Sequence, residues 1–393
     1  MAASPSLPRI PRTVWALGLV SLLMDASSEL VYSLLPLYLV GTLGVGVLTV
    51  GLIEGVAEAT ALIVKVFSGA LSDYLGKRKG LLLLGYGLAA LSKPLFPLAQ
   101  SAGVVFGARV LDRIGKGIRG APRDALIADV APEEIRGACF GLRQSMDTAG
   151  AFVGPLLAIG LMLWLDDDIA LVLWFAVLPA LLCVVLLAVG VEEPAPAGGA
   201  RRFRSPIRRD ALRQFSSAYW RVVAIGAVFT LARFSEAFLV LRAQQLGFAA
   251  SWVPLVMVVM AAFYMLSAYP AGKLSDRIGR QRLLGGGLIL LVLADLVLAQ
   301  AGSVVPVLLG VALWGLHMGC SQGILASLVA DTTPAELKGT AFGLFNLVSG
   351  VALLLASGIA GWLWQTYDAA TTFFAGALFA ALALILLLWR RAG

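Results

Sequence analysis

Two stretches of the sequence are near copies of each other. Residues 69–79 read GALSDYLGKRK, and residues 272–282 read GKLSDRIGRQR. A second set of landmarks, AD, P, RG and FG within residues 128–141, returns as AD, P, KG and FG within residues 330–343. Because both pairs share nearly the same offset and order, the sequence predicts two repeated halves of similar structure.

The composition around these repeats is that of a membrane protein. Of 393 residues, 60% are hydrophobic and only 13% are charged, and the mean hydropathy is +0.90. A soluble domain needs more polar surface than this to cover itself. Apolar stretches long enough to cross about 30 Å of hydrocarbon as helices recur along the chain. Alternating strand patterns are absent, which favours a helical bundle over a β-barrel.

The apolar stretches predict twelve transmembrane helices in an all-α membrane protein. The expected spans are residues 13–40, 47–68, 80–99, 103–128, 139–164, 169–190, 219–241, 250–271, 283–301, 303–330, 340–365 and 369–389. Glu192 to Ser217 is rich in Pro, Gly and Arg and divides them into two sets of six. The predicted domains are a six-helix bundle at 1–190, a cytoplasmic linker at 191–218 and a second six-helix bundle at 219–393.

Basic residues occupy every second connection. Lys and Arg cluster near residues 9–12, 77–79, 201–213, 273–282 and 390–391, whereas the intervening turns lack them and one reads Asp166-Asp167-Asp168. This pattern follows the positive-inside rule, so we expect both termini and the linker in the cytoplasm and the chain in the cytoplasmic (inner) membrane. The net charge of +7 then reflects topology and anionic lipid, and we expect no nucleic-acid partner.

Signatures of catalysis or metal binding are not found in the sequence. Cys139, Cys183 and Cys320 show no metal-ligand spacing and are expected to be small packing residues. There is no phosphate-binding Gly-Lys-Ser/Thr loop and no Gly-x-Ser-x-Gly elbow. We expect no enzyme activity, no metal site and no cofactor.

Three motifs resemble the major facilitator superfamily. Residues 69–79 are similar to its loop between helices two and three, and residues 113–121 resemble its fourth-helix motif, with Lys116 and Arg119 where uncharged residues are usual. Gly150 with Gly154-Pro155 resembles its antiporter motif in helix five, although Ala158 and Ile159 replace the closing glycine pair. The resemblance implies two parallel six-helix repeats with a binding site near the midplane between them, and favours antiport.

The fourth predicted span carries an unusual number of charges. Seven lie in sixteen residues, within an arc of roughly 140° on an ideal helix: Arg109, Asp112, Arg113, Lys116, Arg119, Arg123 and Asp124. Each would cost about 2.5–3.5 kcal/mol if it faced lipid. The charged face must therefore lie against water or partner charges inside the protein.

Carboxylates on the first two spans are the expected partners. Asp25 and Glu29 lie four residues apart and share a helical face with Tyr32, and Glu54 and Glu58 have the same spacing. Such pairs respond to a proton, because protonation removes the negative member. Related antiporters pair a helix-one carboxylate with a helix-four arginine, which implies a coupling role for Asp25, Glu29 and Arg113. The alternative is an inert network that only joins helices.

Further charges in other spans are candidates for the same central site. Lys93 and Asp295 are related by the repeat offset. Arg233 and Glu236 lie three residues apart in span seven, where they can neutralise each other. The lone histidine, His317, is either a packed, hydrogen-bonded side chain or a cavity residue.

The repeated loops predict a cytoplasmic gate. The resemblance implies ion pairs that hold the cytoplasmic side closed in the outward-open state, and the alternative is that the basic residues only set topology. The expected gate residues are Gly69, Asp73, Gly76, Arg78, Lys79 and Asp129, with Asp276, Arg280 and Asp331 as the second copy.

These features predict a secondary transporter that moves a small solute by alternating access. The leading hypothesis is proton-coupled export, driven by the proton gradient. Import of an anionic solute with protons, or cation or metal transport on the acidic cluster of residues 25, 29, 54 and 58, are the alternatives. A membrane sensor without transport activity is a further alternative, disfavoured by the buried charges. The expected partners are a small-molecule substrate and the lipid bilayer, with the chain as a monomer.

Overall fold

The computed structural model describes residues 9–194, 212–321, 323–334 and 337–389. Across these ranges the regular elements are all helices, and they make up twelve units in chain order. The first six are α1 (Arg12–Leu37), α2 (Val47–Leu75), α3 (Lys79–Ser92), α4 (Ala102–Val130), α5 (Arg136–Trp164) and α6 (Ile169–Trp174 and Val177–Gly190). The last six are α7 (Ser217–Ala232 and Ala237–Gln245), α8 (Leu255–Ile278), α9 (Arg280–Gln300), α10 (Val304–Ser321 and Ile324–Asp331), α11 (Lys338–Thr366) and α12 (Ala369–Leu388).

The all-α fold with twelve spans in two repeated halves is confirmed. Among the described residues, ten helical units meet length and hydropathy limits for crossing a membrane. The other two are α3, whose helix has 14 residues before a short 3₁₀ turn, and the highly charged α4. The predicted linker at 191–218 lies largely outside the described residues, so the domain boundaries stay a prediction.

Some helix ends differ from the expected spans. A helix can continue into polar residues beyond its apolar run, and a proline can end a helix early. α2 continues to Leu75 although its apolar run stops near residue 68. It ends at Gly76, whose φ of +63° favours glycine. The α-helical part of α3 stops at Ser92, because Pro94 cannot donate the backbone hydrogen bond that an α-helix needs.

Breaks within α7 and α10 place irregular backbone in the interior. In α7, residues 233–235 are not helical and Arg233 has φ −107° and ψ 66°. In α10, Gly323 has φ +83° and precedes the second segment. Irregular backbone at membrane depth is tolerated where it lines a cavity or is buried in protein, so both breaks direct attention to the space between the halves.

Close backbone contact joins α2 of the first half to α11 of the second. A Cβ on Gly51 would lie 2.3 Å from the carbonyl oxygen of Ser357, and one on Gly361 would lie 2.8 Å from Cα of Leu48. Small residues of this kind let transmembrane helices approach closely. The two halves are therefore in tight contact along this seam.

The two ends of the bundle differ in how the halves meet. We call the end with connections 76–79 and 279 the basic end. Away from it, apolar side chains of both halves share a common cluster, which combines Leu34 and Ile53 with Leu241. At the basic end each half has its own cluster, one around Tyr86 and Leu126 and one limited to the second half. The molecule is thus closed at the opposite end and divided at the basic end.

Candidate functional site

A cavity of about 470 Å³ lies between the two halves, beside the break in α7. Its wall takes residues from α1, α2 and α4 of the first half and from α7, α10 and α11 of the second. The charged and aromatic members are Glu29, Tyr32, Glu58, Arg113, Lys116, Phe229, Arg233, Phe234, Glu236 and Phe345. This is the size and composition of a small-molecule site.

A second cavity of about 360 Å³ lies within the first half. It shares Glu29, Glu58 and Lys116 with the large cavity, and it adds Asp25 and Arg119. Lys65, Arg123 and Asp147 also line it. The two cavities are therefore adjacent, because Glu29, Glu58 and Lys116 border both.

Buried ion pairs connect α2, α3 and α4 behind the cavity wall. Arg109 donates two hydrogen bonds to Glu54, from Nε at 2.9 Å and from Nη2 at 2.6 Å. Lys93 donates to Asp112 at 2.8 Å and to Ser28 at 2.9 Å. Lys93, Arg109, Asp112 and Glu54 are each at most 2% exposed. With such geometry the charges stabilise one another inside the membrane.

One ion pair of this network reaches the large cavity. Arg113 Nη1 lies 3.3 Å from Glu58 Oε1, and the Glu58 side chain is 29% exposed. Arg109 also approaches Glu58, at 3.4 Å. Arg113 is thus paired with Glu58 and, at 3.5 Å, with Asp112, whereas the expected partners Asp25 and Glu29 form no ion pair with it in the described residues.

Four charged side chains on the wall have no partner within ion-pair or hydrogen-bond distance in the described ranges. They are the carboxylates Glu29 and Glu236 and the cations Lys116 and Arg233. Arg233 and Glu236 do not neutralise each other as expected; Arg233 instead lies over the Phe229 ring at 5.8 Å, and its Nε is unpartnered. Unpaired charges of both signs therefore face the space between the halves.

Five predicted cavity residues lie outside both cavities, which corrects their placement. Glu54, Lys93, Arg109 and Asp112 are in the buried ion pairs described above. His317 is 0% exposed, its Nδ1 donates to the carbonyl of Gly287 at 2.8 Å, and its ring lies 5.5 Å from that of Phe229. Of the two alternatives for His317, a packed side chain or a cavity residue, the structure shows the packed, hydrogen-bonded side chain.

The remaining predicted residues line one or both cavities. Tyr32 borders the large cavity, and its hydroxyl lies 3.2 Å from Ser235 Oγ across the two halves. Arg119 borders the second cavity and lies over the Tyr86 ring at 4.7 Å. Asp25 also borders the second cavity, which brings it near the basic residues of α4.

The uncharged residues on the wall of the large cavity were not predicted from the sequence. Asn346 and Ser349 of α11 and Thr230 of α7 supply hydrogen-bonding groups, and Phe345 and Phe234 supply apolar faces. Asn346 and Ser349 are three residues apart in α11, so they share a face. That spacing was the available signal; the aromatic residues gave none.

The predicted gate residues form ion pairs at the basic end. Arg78 lies 2.6 Å from Asp129 and 3.2 Å from Asp73, and Lys79 donates to the carbonyl of Ala188 at 2.8 Å. Burial opposes the charge on Arg78, but the hydrogen bonds to Asp129 and Asp73 outweigh it and raise the pKa of the guanidinium.

The second copy of the gate has an equivalent ion pair. Arg280 is paired with Asp331, whereas the side chain of Asp276 lies outside the described residues. Gly69 packs close to Ala121, and a Cβ there would lie 3.3 Å from that methyl group. Each ion pair joins elements of one half only, and the pairs are formed while the basic end is open. The role of these residues in closing the halves stays a prediction.

Twelve helices in two repeated halves around a charged central cavity define the class of protein: a multi-pass membrane transporter. The family model described as Major Facilitator Superfamily matches residues 17–263 and 223–393. An uncharacterised MFS-type transporter of Methanocaldococcus jannaschii is 34% identical over 390 residues, which cover 97% of this chain and 95% of that protein. The chain belongs to the major facilitator superfamily.

More distant proteins share the same fold. The multidrug resistance protein MdtH of Yersinia pestis (strain Pestoides F) is 23% identical over 90% of this chain and 86% of its own length. A crystal structure of a variant of the nucleoside transporter NupG superposes with a TM-score of 0.81, at 12% identity, over 96% of this chain and 99% of that chain. At this identity the similarity shows the fold and not the solute.

Proposed function

We propose that this chain exports a small solute from the cytoplasm by alternating access, in exchange for protons. The observation that carries the proposal is the large cavity, which lies between the halves and has an unpaired carboxylate, Glu29, on its wall. The positive-inside expectation assigns the open, basic end to the cytoplasm. The chain then faces inward in the cytoplasmic membrane, with both termini in the cytoplasm.

Glu29 is the proposed proton-binding residue. It borders both cavities together with Lys116, and the Glu58–Arg113 ion pair lies on the same wall. Protonation of Glu29 removes one negative charge and leaves Lys116 and Arg233 in excess on the wall. Such a change in wall charge alters the relative stability of the open and closed states, which is the requirement for coupling. Asp25 is the second candidate, because it borders the second cavity.

The mixed wall of the large cavity favours an organic solute. Aromatic faces at Phe229, Phe234 and Phe345 suit an apolar body, while unpaired charges suit a polar or ionised group. The name of the Yersinia relative, a multidrug resistance protein, is consistent with export.

Import of an anionic solute together with protons is the second candidate. It is favoured by Arg233, whose Nε has no acceptor in the described residues, and by Lys116 on the facing wall. Metal transport on the acidic cluster loses support, because Glu54 is held by Arg109. Within the described ranges, no group of three or more metal-ligating side chains is found either.

Proton movement in inverted vesicles tests the direction and the coupling together. Vesicles with an internal pH dye are offered representative organic cations, organic anions and zwitterions without an imposed gradient. Antiport predicts that one class enters while the lumen becomes alkaline, and symport predicts that the lumen becomes acidic.

The residue assignments are tested in the same vesicles. We expect Glu29→Gln and Arg113→Ala to abolish the pH change, because one removes the proton-binding group and the other an ion pair of the wall. Glu133→Gln is the control, since Glu133 is 87% exposed at the basic end. Solute uptake without any pH change in wild-type vesicles, or a full pH change in Glu29→Gln, overturns the proposal.

A further inference from the structure

Asp295 of α9 lies in the interior of the second half without a partner for its charge. Its side chain is 0% exposed, and neither Oδ1 nor Oδ2 has a hydrogen-bond partner in the described part of the chain. It borders neither of the two cavities described above. Burying an ionised carboxylate without a partner is far less favourable than burying the neutral acid. The side chain of Asp295 is therefore expected to carry a proton.

The ring of Phe234 connects the surroundings of this carboxyl group with the wall of the large cavity. A Cβ on Gly376 of α12 would lie 2.7 Å from Oδ2 of Asp295 and 2.8 Å from Cε1 of Phe234, so the carboxyl group and the ring edge meet at this glycine. Phe234 also borders the large cavity. Its ring packs on Trp314 and Phe373, with centroids 5.5 Å and 5.6 Å apart.

The backbone that carries Phe234 is the non-helical break of α7. Because residues 233–235 lie outside both helical segments, a shift of this ring does not require a helix to unfold. Arg233 and Glu236 on either side of it face the cavity. Local openings of this kind are drawn from the less stable parts of a fold.

The site around Asp295 differs from the corresponding site of the first half. The repeat offset that relates Asp129 to Asp331 also relates Lys93 to Asp295 and Asp112 to Trp314. In the first half Lys93 and Asp112 form an ion pair at 2.8 Å. In the second half the corresponding positions hold an acid and an indole, and the indole Nε1 of Trp314 is also buried without a partner. The ion pair of the first half thus has no counterpart at these positions of the second half.

Other titratable groups of this half do not neutralise the site. On the helices packed against α9, His317 is buried and Tyr264 and Cys320 are partly buried. Arg242 of α7 also reaches α9, where its guanidinium donates to the backbone carbonyls of Leu298 and Ala299 at 3.1 Å and 3.3 Å. The imidazole Nδ1 of His317 is bonded to Gly287, and none of these four side chains forms a hydrogen bond with Asp295 in the described residues.

We propose that Asp295 is a second proton-binding site, distinct from Glu29, and that its proton exchanges with the large cavity when Phe234 moves. The second half then contributes a proton of its own to the conformational cycle. This inference does not depend on the direction of transport or on the identity of the solute.

Infrared spectroscopy of the full-length protein in lipid nanodiscs tests the protonation state without any solute. We expect a carboxylic acid C=O stretching band at neutral pH that is lost in Asp295→Asn and retained in Glu29→Gln. Should Asp295→Asn not fold, Asp295→Glu keeps the acid and moves the band. A spectrum in which neither variant changes a carboxylic acid band overturns the proposal.

Transfer to D₂O tests the exchange route. The Asp295 band should shift as its proton is replaced, and Phe234→Ala should accelerate that shift about tenfold or more, as expected when a local opening limits exchange. Phe345→Ala is the matched control, because Phe345 also borders the cavity but is not among the contacts at Gly376. A band that never shifts in the wild type, or an unchanged rate in Phe234→Ala, contradicts the proposed route.

Discussion

At the residue scale, the ion pair between Arg109 and Glu54 illustrates how charges are accommodated in this chain. Both side chains are at most 2% exposed and two hydrogen bonds join them. Arg109 also lies 4.8 Å from the centre of the Tyr32 ring. An ion pair in such surroundings contributes little net stability compared with apolar residues, but the loss of one member leaves the other buried and unpaired.

Arg109→Ala or Glu54→Gln alone is therefore expected to destabilise the protein by about 3–5 kcal/mol. The double variant Arg109→Met with Glu54→Leu should have a melting temperature closer to that of the wild type than either single variant has, because no uncompensated charge remains. Thermal unfolding in detergent measures both effects, and a double variant with the summed loss contradicts this account. Arg136→Ala is the control, since its exposed pair with Glu133, at 3.9 Å, is expected to contribute about 1 kcal/mol or less.

The charged face of α4 was predictable from sequence, but its pairing was not. Helical spacing indicated that Arg109, Arg113 and Lys116 share a face. Glu54 and Glu58 also share a face, so spacing does not decide which of them meets Arg113. That choice depends on how α2 and α4 are rotated against each other. Their rotation is set by contacts such as Gly117, where a Cβ would lie 2.9 Å from the carbonyl oxygen of Ala61.

At the element scale, α1 and α5 are in direct backbone contact. A Cβ on Gly150 would lie 2.5 Å from the carbonyl oxygen of Leu22, and one on Gly154 would lie 2.6 Å from that of Ala26. These contacts show that Gly150 and Gly154 permit the close packing of α5 against α1. Gly141 of the same helix has open space around it, with nothing within 4 Å, so the packing role does not extend to it.

Gly154→Ala is expected to force α5 away from α1 and to cost about 1–3 kcal/mol, as overpacking does. The added methyl group would also lie 2.9 Å from Cβ of Glu29, so the position of that carboxylate should change. Gly141→Ala is the matched control and should be neutral or stabilising by about 0.5–1 kcal/mol, because alanine is the better helix former. Thermal unfolding of the two variants checks the difference, and equal melting temperatures would count against the backbone contact.

Which helices break was also beyond sequence reasoning. Spans seven and ten were expected to be continuous, yet α7 is interrupted at residues 233–235 and α10 before Ile324. Neither break contains a proline, although Arg233 and Ser235 interrupt the apolar run of α7 and Gly323 lies at the break of α10. The breaks are maintained by tertiary contacts, such as the hydrogen bond from the backbone nitrogen of Ser235 to Ser357 Oγ at 3.2 Å. Contacts of this kind join residues that are far apart in sequence.

At the scale of the whole molecule, the halves share apolar clusters at one end only. The fold class, the repeat and the number of spans followed from composition and internal similarity. The conformational state did not, because both states of an alternating-access protein bury similar residues within each half. Only the contacts between halves distinguish them, and these are not encoded in the periodicity of single helices.

Cysteine labelling tests the state and the orientation together. In a variant without native cysteines, Asn346→Cys on the cavity wall should react with a membrane-impermeant thiol reagent in inverted vesicles and be protected in intact cells. Ser303→Cys, in an exposed connection at the opposite end, should show the reverse preference and serves as the control. Labelling of Asn346→Cys from outside the cell would contradict the inward-facing assignment.

The unpaired charges on the cavity wall also bear on leakage. If the basic end closed on an empty cavity, Glu29 and Lys116 of one half would lose water against Arg233 and Glu236 of the other, and only well-formed ion pairs offset that desolvation cost. An unloaded carrier would therefore resist isomerisation, and cargo or a proton would relieve the resistance. The same four side chains would thus limit the uncoupled leak of protons or solute that isomerisation of the empty carrier allows.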